Sequence, residues 1–198
     1  MRKRLTHEER KQETRKRLLE SAADTFAKLG FHGASVDKIA EEAGFTKGAV
    51  YTHFKSKEEL FLALFEQKID SHLTTIHHIV EQENSLDHVI NKLEHYFDLD
   101  RQNNKAWGIL NMEFLLYAMR NDSVREKWSN VILKSVEHIT KVIRIIREEN
   151  GDTFDLSSEE LAWTILSLEN GIGIFQYISG SHVPANLYGK SLQSLFKS

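Results

Sequence analysis

The sequence predicts an all-α protein, with an N-terminal three-helix module over residues 1–56 and a larger helical body over residues 57–198. Three observations predict it. The 198 residues hold one proline, Pro184, and ten glycines, which leaves long stretches free to be helical. Apolar residues recur at helical spacing through most of the chain, and no segment alternates between turn signals as a strand would. The Ser/Thr-x-x-Glu pattern of a helix start recurs at Thr6, Ser56, Ser123 and Ser157.

The elements follow in order. Thr6 caps a first helix with the stripe Leu18, Leu19, Ala22, Ala23, Phe26 and Leu29, and Gly30 stops it. Ser35 caps a short second helix that buries Val36, Ile39, Ala40 and Ala43; Gly44 ends it and Phe45 fills the turn. Thr46 caps a third helix whose inward residues are Val50 and Phe54. A long fourth helix opens at Ser56 and carries Leu60, Phe61, Leu64, Phe65, Ile69, Leu73, Ile76 and Val80. Ser85 begins a fifth that reaches about Leu99, and the polar residues 101–105 form a loop. Residues 106–119 make a strongly apolar helix. Ser123 caps the next, which runs to about Asn150 with Gly151-Asp152 as its stop. Ser157 opens a helix to about Ser179, with Leu156 and Leu161 at the positions of a hydrophobic staple. Residues 180–184 turn, and residues 187–196 form a last amphipathic helix.

Composition narrows the function. Cysteine is absent, which excludes disulfides, thiolate zinc sites and cysteine nucleophiles and fits a reducing compartment. The N-terminus has no apolar signal core, so a cytoplasmic location is expected. The most apolar stretch, residues 161–178, is interrupted by Glu169, Asn170 and Gln176, as in a buried helix rather than a membrane span. Net charge is −3, but residues 1–17 hold eight Lys/Arg against three Glu. A basic head on an acidic body suits a protein that meets polyanions at one end.

Residues 35–54 are two short helices joined by a Gly turn, the layout of a helix-turn-helix that presents its second helix to the major groove of DNA. Such a helix packs one side on its module and offers small or polar groups on the other. With Val50 and Phe54 inward, Lys47, Gly48, Ala49, Tyr51, Thr52 and His53 face outward or lie on the flanks. Gly48 and Ala49 allow close approach; Lys47 can donate to guanine or phosphate, and Thr52 can bond a base or touch a thymine methyl. Tyr51, His53 and Lys57 suit phosphates, as does the N-terminus of the second helix near Ser35, and Thr46, which caps the third helix, is counted with the DNA-binding residues. The Arg2-Lys3-Arg4 tail can lie along the backbone or in a minor groove.

These residues resemble a known family. Residues 14–60 are similar to the DNA-binding domain of tetracycline-repressor (TetR) regulators at Thr14, Leu18, Ala22, Phe26, Gly30-Phe31, Ser35-Val36, Ile39-Ala40, Ala43-Gly44-Phe45-Thr46, Gly48, Val50-Tyr51, His53-Phe54, Ser56-Lys57 and Leu60. Ala34 departs from the pattern, where the family often has Thr. The resemblance implies an all-α homodimer that binds a palindromic operator, usually as a repressor, and leaves it when a small ligand binds the C-terminal domain. It implies a base contact for Lys47, phosphate contacts for Tyr51, His53 and Lys57, and a groove-facing surface at Gly48, Ala49 and Thr52.

In the body, residues 157–179 and 187–196 read as a homodimer interface. Leu161, Ile165, Leu168, Ile172 and Phe175 form one stripe, Trp163, Leu166 and Ile174 lie on other faces, and Leu192, Leu195 and Phe196 give the last helix its own. In the family, two such helices from each subunit make a four-helix bundle. An intrachain core is the alternative. Trp107, Leu110, Asn111, Phe114, Leu115 and Ala118 fall on a helix resembling the family's ligand-lining segment. Glu113, Glu169 and Asn170 are polar residues inside apolar runs. One of the carboxylates orients a ligand, or Glu113 faces solvent and Glu169 pairs with an arginine or caps a dimer contact. No cofactor, metal or catalytic residue is expected, since His77-His78 and His88/His95 match no H-E-x-x-H spacing. A ligand-free architectural DNA binder would leave the long helical body without a task.

Overall fold

The computed structural model describes residues 6–150 and 155–196. The described residues contain no strand, and their helices are α1 (His7–Gly33), α2 (Val36–Ala43), α3 (Lys47–His53), α4 (Lys57–Gln82), α5 (Leu86–Asn103), α6 (Lys105–Met119), α7 (Asp122–Asn150), α8 (Ser158–Ser179) and α9 (Leu187–Phe196). A 3-10 turn, Gly180–His182, joins the last two. The Arg2-Lys3-Arg4 tail and the Gly151-Asp152 stop lie outside the described residues.

The chain forms two compact units. The first takes the described residues up to Lys68 together with Ile109–Arg125, and the second takes Ile69–Gly108 with the described residues from Glu126 onward. In the first, Leu18, Ala22 and Phe26 of α1, Ile39 of α2, Val50 of α3, and Leu60 and Phe61 of α4 are almost fully buried. Phe61 stacks on Phe114 of α6, with ring centroids 4.3 Å apart, and meets Phe26 and Phe31 edge-on at 5.1 and 5.2 Å. Polar groups tie α1 to α2: the Ser21 hydroxyl donates to Ile39 O at 2.8 Å, and that of Thr25 lies 2.8 Å from Glu42 Oε2. Helical geometry in α1 fails at Gly30 (φ 71°, ψ 172°), so the glycine stop appears as a kink with three more residues beyond it.

The core of the second unit gathers Leu73 and Val80 of α4, Val89, Ile90 and Phe97 of α5, Val136, Ile139 and Ile143 of α7, Leu161 and Ile172 of α8, and Tyr188, Leu192 and Phe196 of α9. Of the loop expected over residues 101–105, only Asn104 is outside a helix, since α5 runs to Asn103 and α6 starts at Lys105. Arg101 is the reason. Its Nε donates to Gln176 Oε1 at 2.6 Å, its Nη2 donates to Gly173 O, and its guanidinium lies 5.2 Å from the Phe97 ring and 4.5 Å from that of Tyr177. Contacts distant in sequence thus extend a helix that local polarity would end.

The expected caps open their helices except at Ser123, and at Ser56 the cap forms without closing the box. Thr6/Glu9 and Ser157/Glu160 close full capping boxes. Ser56 accepts from Glu59 N–H at 3.2 Å, but the Glu59 carboxylate accepts from Lys55 N–H. At Ser123 no box forms: α7 begins at Asp122, and Asn121 O accepts the first helical N–H groups, from Val124 and Arg125. The staple expected at α8 is half made, with Leu161 buried and Leu156 on the surface.

Candidate nucleic-acid interface

The turn between α2 and α3 is built from backbone bonds. Gly44 sits in the left-handed region (φ 74°, ψ 31°), Phe45 N–H donates to Ala40 O at 2.8 Å, and Gly44 N–H donates to Glu41 O at 3.0 Å. That double closure is a Schellman motif. Arg17 pins it from α1, donating to Ala43 O at 2.9 Å with its guanidinium 4.8 Å from the Phe45 ring centroid. The Thr46 hydroxyl then caps α3 by accepting from Ala49 N–H, and the Ser35 hydroxyl caps α2 by accepting from Lys38 N–H.

Val50 and Phe54 hold α3 against the module, both almost fully buried, with the Arg15 guanidinium 5.0 Å from the Phe54 ring. The opposite side is open: Lys47, Gly48, Tyr51 and Thr52 are exposed, and Ala49 and His53 partly so. Lys47 Nζ donates to Asp37 Oδ2 at 2.8 Å, and that bond and charge hold its ammonium above the ordinary lysine value. The Thr52 hydroxyl donates back to Gly48 O. Burial, and then the positive charges of Lys11 and Arg15, hold the His53 imidazole below its ordinary value. Gly48 has no internal reason to be glycine, since an added Cβ would meet only Thr46 Oγ1 at 3.8 Å. Lys57 is turned inward: its Nζ donates to Phe31 O at 2.7 Å and Ala34 O at 3.1 Å, and burial lowers its pKa. The ammonium thereby caps the end of α1, which leaves one proton for any other partner.

Sequence reasoning missed the cations of α1. Lys11 and Arg15 stand four apart on one helical face beside His53, a spacing legible in the basic run. It also missed Asp37 beside Lys47, which only the turn brings together.

The residues expected to line a ligand divide between the units. Leu110, Phe114 and Ala118 are buried in the core of the first, with Asn111 and Leu115 partly buried in the same stretch of α6. Trp107, Glu169 and Asn170 belong to the second. Glu169 pairs with a histidine rather than an arginine: its Oε1 lies 3.1 Å from His72 Nε2, and His72 Nδ1 lies 2.9 Å from the Tyr96 hydroxyl. Burial, and then the negative charge of Asp100, raise the Tyr96 pKa. Asn170 is exposed and donates to Leu166 O. Glu113, which the sequence leaves either on a ligand or in solvent, accepts the Phe31 N–H.

The stripe expected to bind a partner on α8 is split. Leu161 and Ile172 lie in the unit's own core, with Ile165 and Leu168 packed against it, whereas Phe175 is 61% exposed. The apolar surface instead runs through Trp163 (40% exposed), Phe175 and Ile178 (76%). It borders a groove of about 550 Å³ that reaches Val183 and Leu187. Periodicity does not choose the face of a helix that is apolar on most sides. On α9, Leu192 and Phe196 are likewise taken up by the intrachain core.

Residues 18–64 match the family described as bacterial regulatory proteins, tetR family. The HTH-type transcriptional activator FasR of Mycolicibacterium smegmatis is 42% identical over 59 residues, 30% of this chain and 27% of FasR, so the chain spans about a quarter of that relative's length. The HTH-type transcriptional regulator UidR of Escherichia coli is 25% identical over 163 residues, 81% of this chain and 80% of UidR. Among solved structures, the transcriptional regulator FadR from Bacillus subtilis, in complex with stearoyl-CoA, superposes with a TM-score of 0.72 at 17% identity, covering 92% of this chain and 97% of that one. That last likeness is one of fold. Among the described residues, no helix is long and apolar enough to cross a membrane.

Proposed function

We propose that this chain, whose residues 18–64 match the tetR family of bacterial regulatory proteins, is a transcriptional regulator rather than an enzyme, and that it is a dimeric repressor that leaves a palindromic operator when a small molecule binds its helical body. The observation that carries the DNA reading is the outer face of α3. Val50 and Phe54 anchor the helix, and the residues left outside are small, polar or cationic. Gly48 is the sharpest of them, because the space around it inside the chain would admit a methyl group. A glycine without an internal need fits a surface that another body approaches closely.

Lys47 is assigned to a base edge or phosphate, exchanging its Asp37 partner for a stronger anion. Tyr51 and His53 are assigned to phosphates, together with Lys11 and Arg15. Ser35 and Thr46 contribute the N-termini of α2 and α3. Lys57 supports the module first and reaches DNA with its remaining proton. The partner copy docks on the Trp163–Phe175–Ile178 face of α8, where exposed apolar groups border an open groove. For the small molecule, Trp107 and Glu169 keep their assignment, and the Glu169–His72–Tyr96 chain is the polar group it would meet. Leu110, Phe114 and Ala118 serve the core instead. Release requires the ligand to favour the DNA-incompetent arrangement.

The test is enrichment of duplexes from a randomised pool by the full chain. The expected product is a two-fold symmetric sequence with half-sites about one helical turn, or a multiple of it, apart. The joint variant Lys47→Ala, Tyr51→Ala should lose that duplex, and retention of affinity by it would overturn the assignment. Transcription from a promoter carrying the enriched site reads the sign: repression supports the proposal, and activation, the activity in FasR's name, contradicts it.

A further inference from the structure

Helix α6 is apolar on most sides, so the carboxylate of Glu113 in its middle calls for a partner. That partner is the end of α1. At Gly30 the backbone takes φ 71° and ψ 172°, a conformation that glycine adopts readily and other residues resist. The next N–H, that of Phe31, donates to Glu113 Oε2 at 2.9 Å across 82 residues of sequence. A Cβ at position 30 would lie 2.8 Å from the same oxygen, so a side chain there would displace the carboxylate from the Phe31 N–H.

The surrounding contacts converge on the same short junction. Tyr117, one turn after Glu113, sets its ring 5.0 Å from Phe31 and 5.6 Å from His32, and its hydroxyl donates to Glu58 Oε1 at 3.0 Å. Phe114 meets Phe31 edge-on at 5.0 Å. From α4, Lys57 donates to Phe31 O and Ala34 O. Ser35 opens α2 directly afterwards, and α2 leads through the Gly44 turn into α3. The junction therefore sets the direction in which the helix-turn-helix leaves α1. Within it, Glu113 holds an amide that the kink turns away from the helix.

We propose that Glu113 is a positioning residue for DNA reading: by accepting the Phe31 N–H at the Gly30 kink, it fixes the direction of α2 and α3 and so the register of α3 in the groove. The inference rests on the DNA reading above. It predicts an effect confined to sequence-specific binding. Base contacts depend on the placement of α3, whereas attraction of the cationic surface to phosphates tolerates misplacement.

The experiment compares the wild-type chain with Glu113→Leu, which fits an apolar helix but accepts no hydrogen bond, and Glu113→Gln, whose amide oxygen still accepts one. Each is titrated against the duplex enriched by the wild type and against a scrambled duplex, at a temperature where its circular dichroism is that of the folded chain. The leucine variant is expected to lose at least tenfold in affinity for the enriched duplex and nothing for the scrambled one, and the glutamine variant to stay within about threefold of wild type on both. A purely structural role would lower the unfolding midpoint and leave the ratio of the two affinities unchanged, which overturns the proposal. Should the leucine variant not fold, hydrogen exchange at the Phe31 amide of the wild-type chain decides. Protection supports the proposal, and exchange at the rate of a free peptide overturns it. A wild-type chain that enriches no sequence overturns both readings; one that does, alongside an unchanged ratio in the variant, overturns this one alone.

Discussion

The Lys57 ammonium donates to the carbonyls of Phe31 and Ala34 and lies 4.5 Å from the Phe31 ring centroid. Its removal leaves two carbonyls at the end of α1 without their donor. Lys57→Met is expected to lower stability by about 1.5–3 kcal/mol, the range for hydrogen bonds to a charged group, as read by urea unfolding. An unchanged midpoint would return Lys57 to a purely external role. A second residue links stability to pH. On α7, the His138 Nε2 is buried with no hydrogen-bond partner among the described residues. Burial, then the neighbouring His77 and Lys141, hold its pKa below the ordinary value of 6.5, against smaller opposing effects of the Leu73 backbone and Asp70. A histidine lowered in the fold is protonated first in the unfolded chain. Its contribution is therefore full above about pH 6.5 and is lost as pH falls below that value. The urea midpoint is expected to fall between about pH 6.5 and 5, and His138→Leu to flatten much of that slope. His53, lowered in the same direction by burial and nearby cations, supplies part of what remains. A midpoint unmoved by acid over this range would contradict the burial of a neutral imidazole.

At the scale of the element, α3 is seven residues long and depends on its cap and its two anchors. Replacing Gly48 by alanine adds helix propensity worth about 0.8–1 kcal/mol in a place where the nearest atom is 3.8 Å away. Gly48→Ala is thus expected to melt at or above the wild-type temperature and to bind its enriched duplex more weakly. A variant both more stable and equally tight would remove the case for close groove approach. Helices α1 to α3 were legible because their signals are local. Thr6, Ser35 and Thr46 cap the N-termini, Gly30 and Gly44 take the positive φ values, and Val50 and Phe54 lie four apart. Other features were hidden because their cause is distant in sequence. Residues 101–103 are helical through contacts of Arg101 with Gln176 and Gly173. Glu113 serves an amide 82 positions away. On α8, apolar residues surround most of the helix, so the sequence marks it as buried without distinguishing its sides. The inward and outward faces of α3 were therefore readable from spacing, with Val50 and Phe54 buried and Lys47, Gly48, Tyr51 and Thr52 exposed, whereas the Asp37 partner of Lys47 and the α1 cations beside His53 were not. Of the ligand-lining set, Leu110, Phe114 and Ala118 are buried in the first unit, a placement that the apolar spacing of α6 does not distinguish from pocket lining.

For the whole molecule, self-association and DNA reading are one claim, since a two-fold site requires two copies. The exposed Phe175 and Ile178 on α8 are the groups whose burial would drive pairing. Phe175→Glu is expected to shift the chain from dimer to monomer in sedimentation equilibrium, with circular dichroism unchanged because the residue lies outside the core. A variant that stays dimeric would move the interface elsewhere. DNA binding by this chain turns on the surface of α3. Its most direct test is the map of backbone amide resonances as the enriched duplex is added to the full chain. The largest shifts are expected over residues 35–53 and around Lys11 and Arg15, with the buried core of the second unit little changed. Shifts centred on other helices, with Lys47, Gly48 and Tyr51 unmoved at saturation, would contradict it.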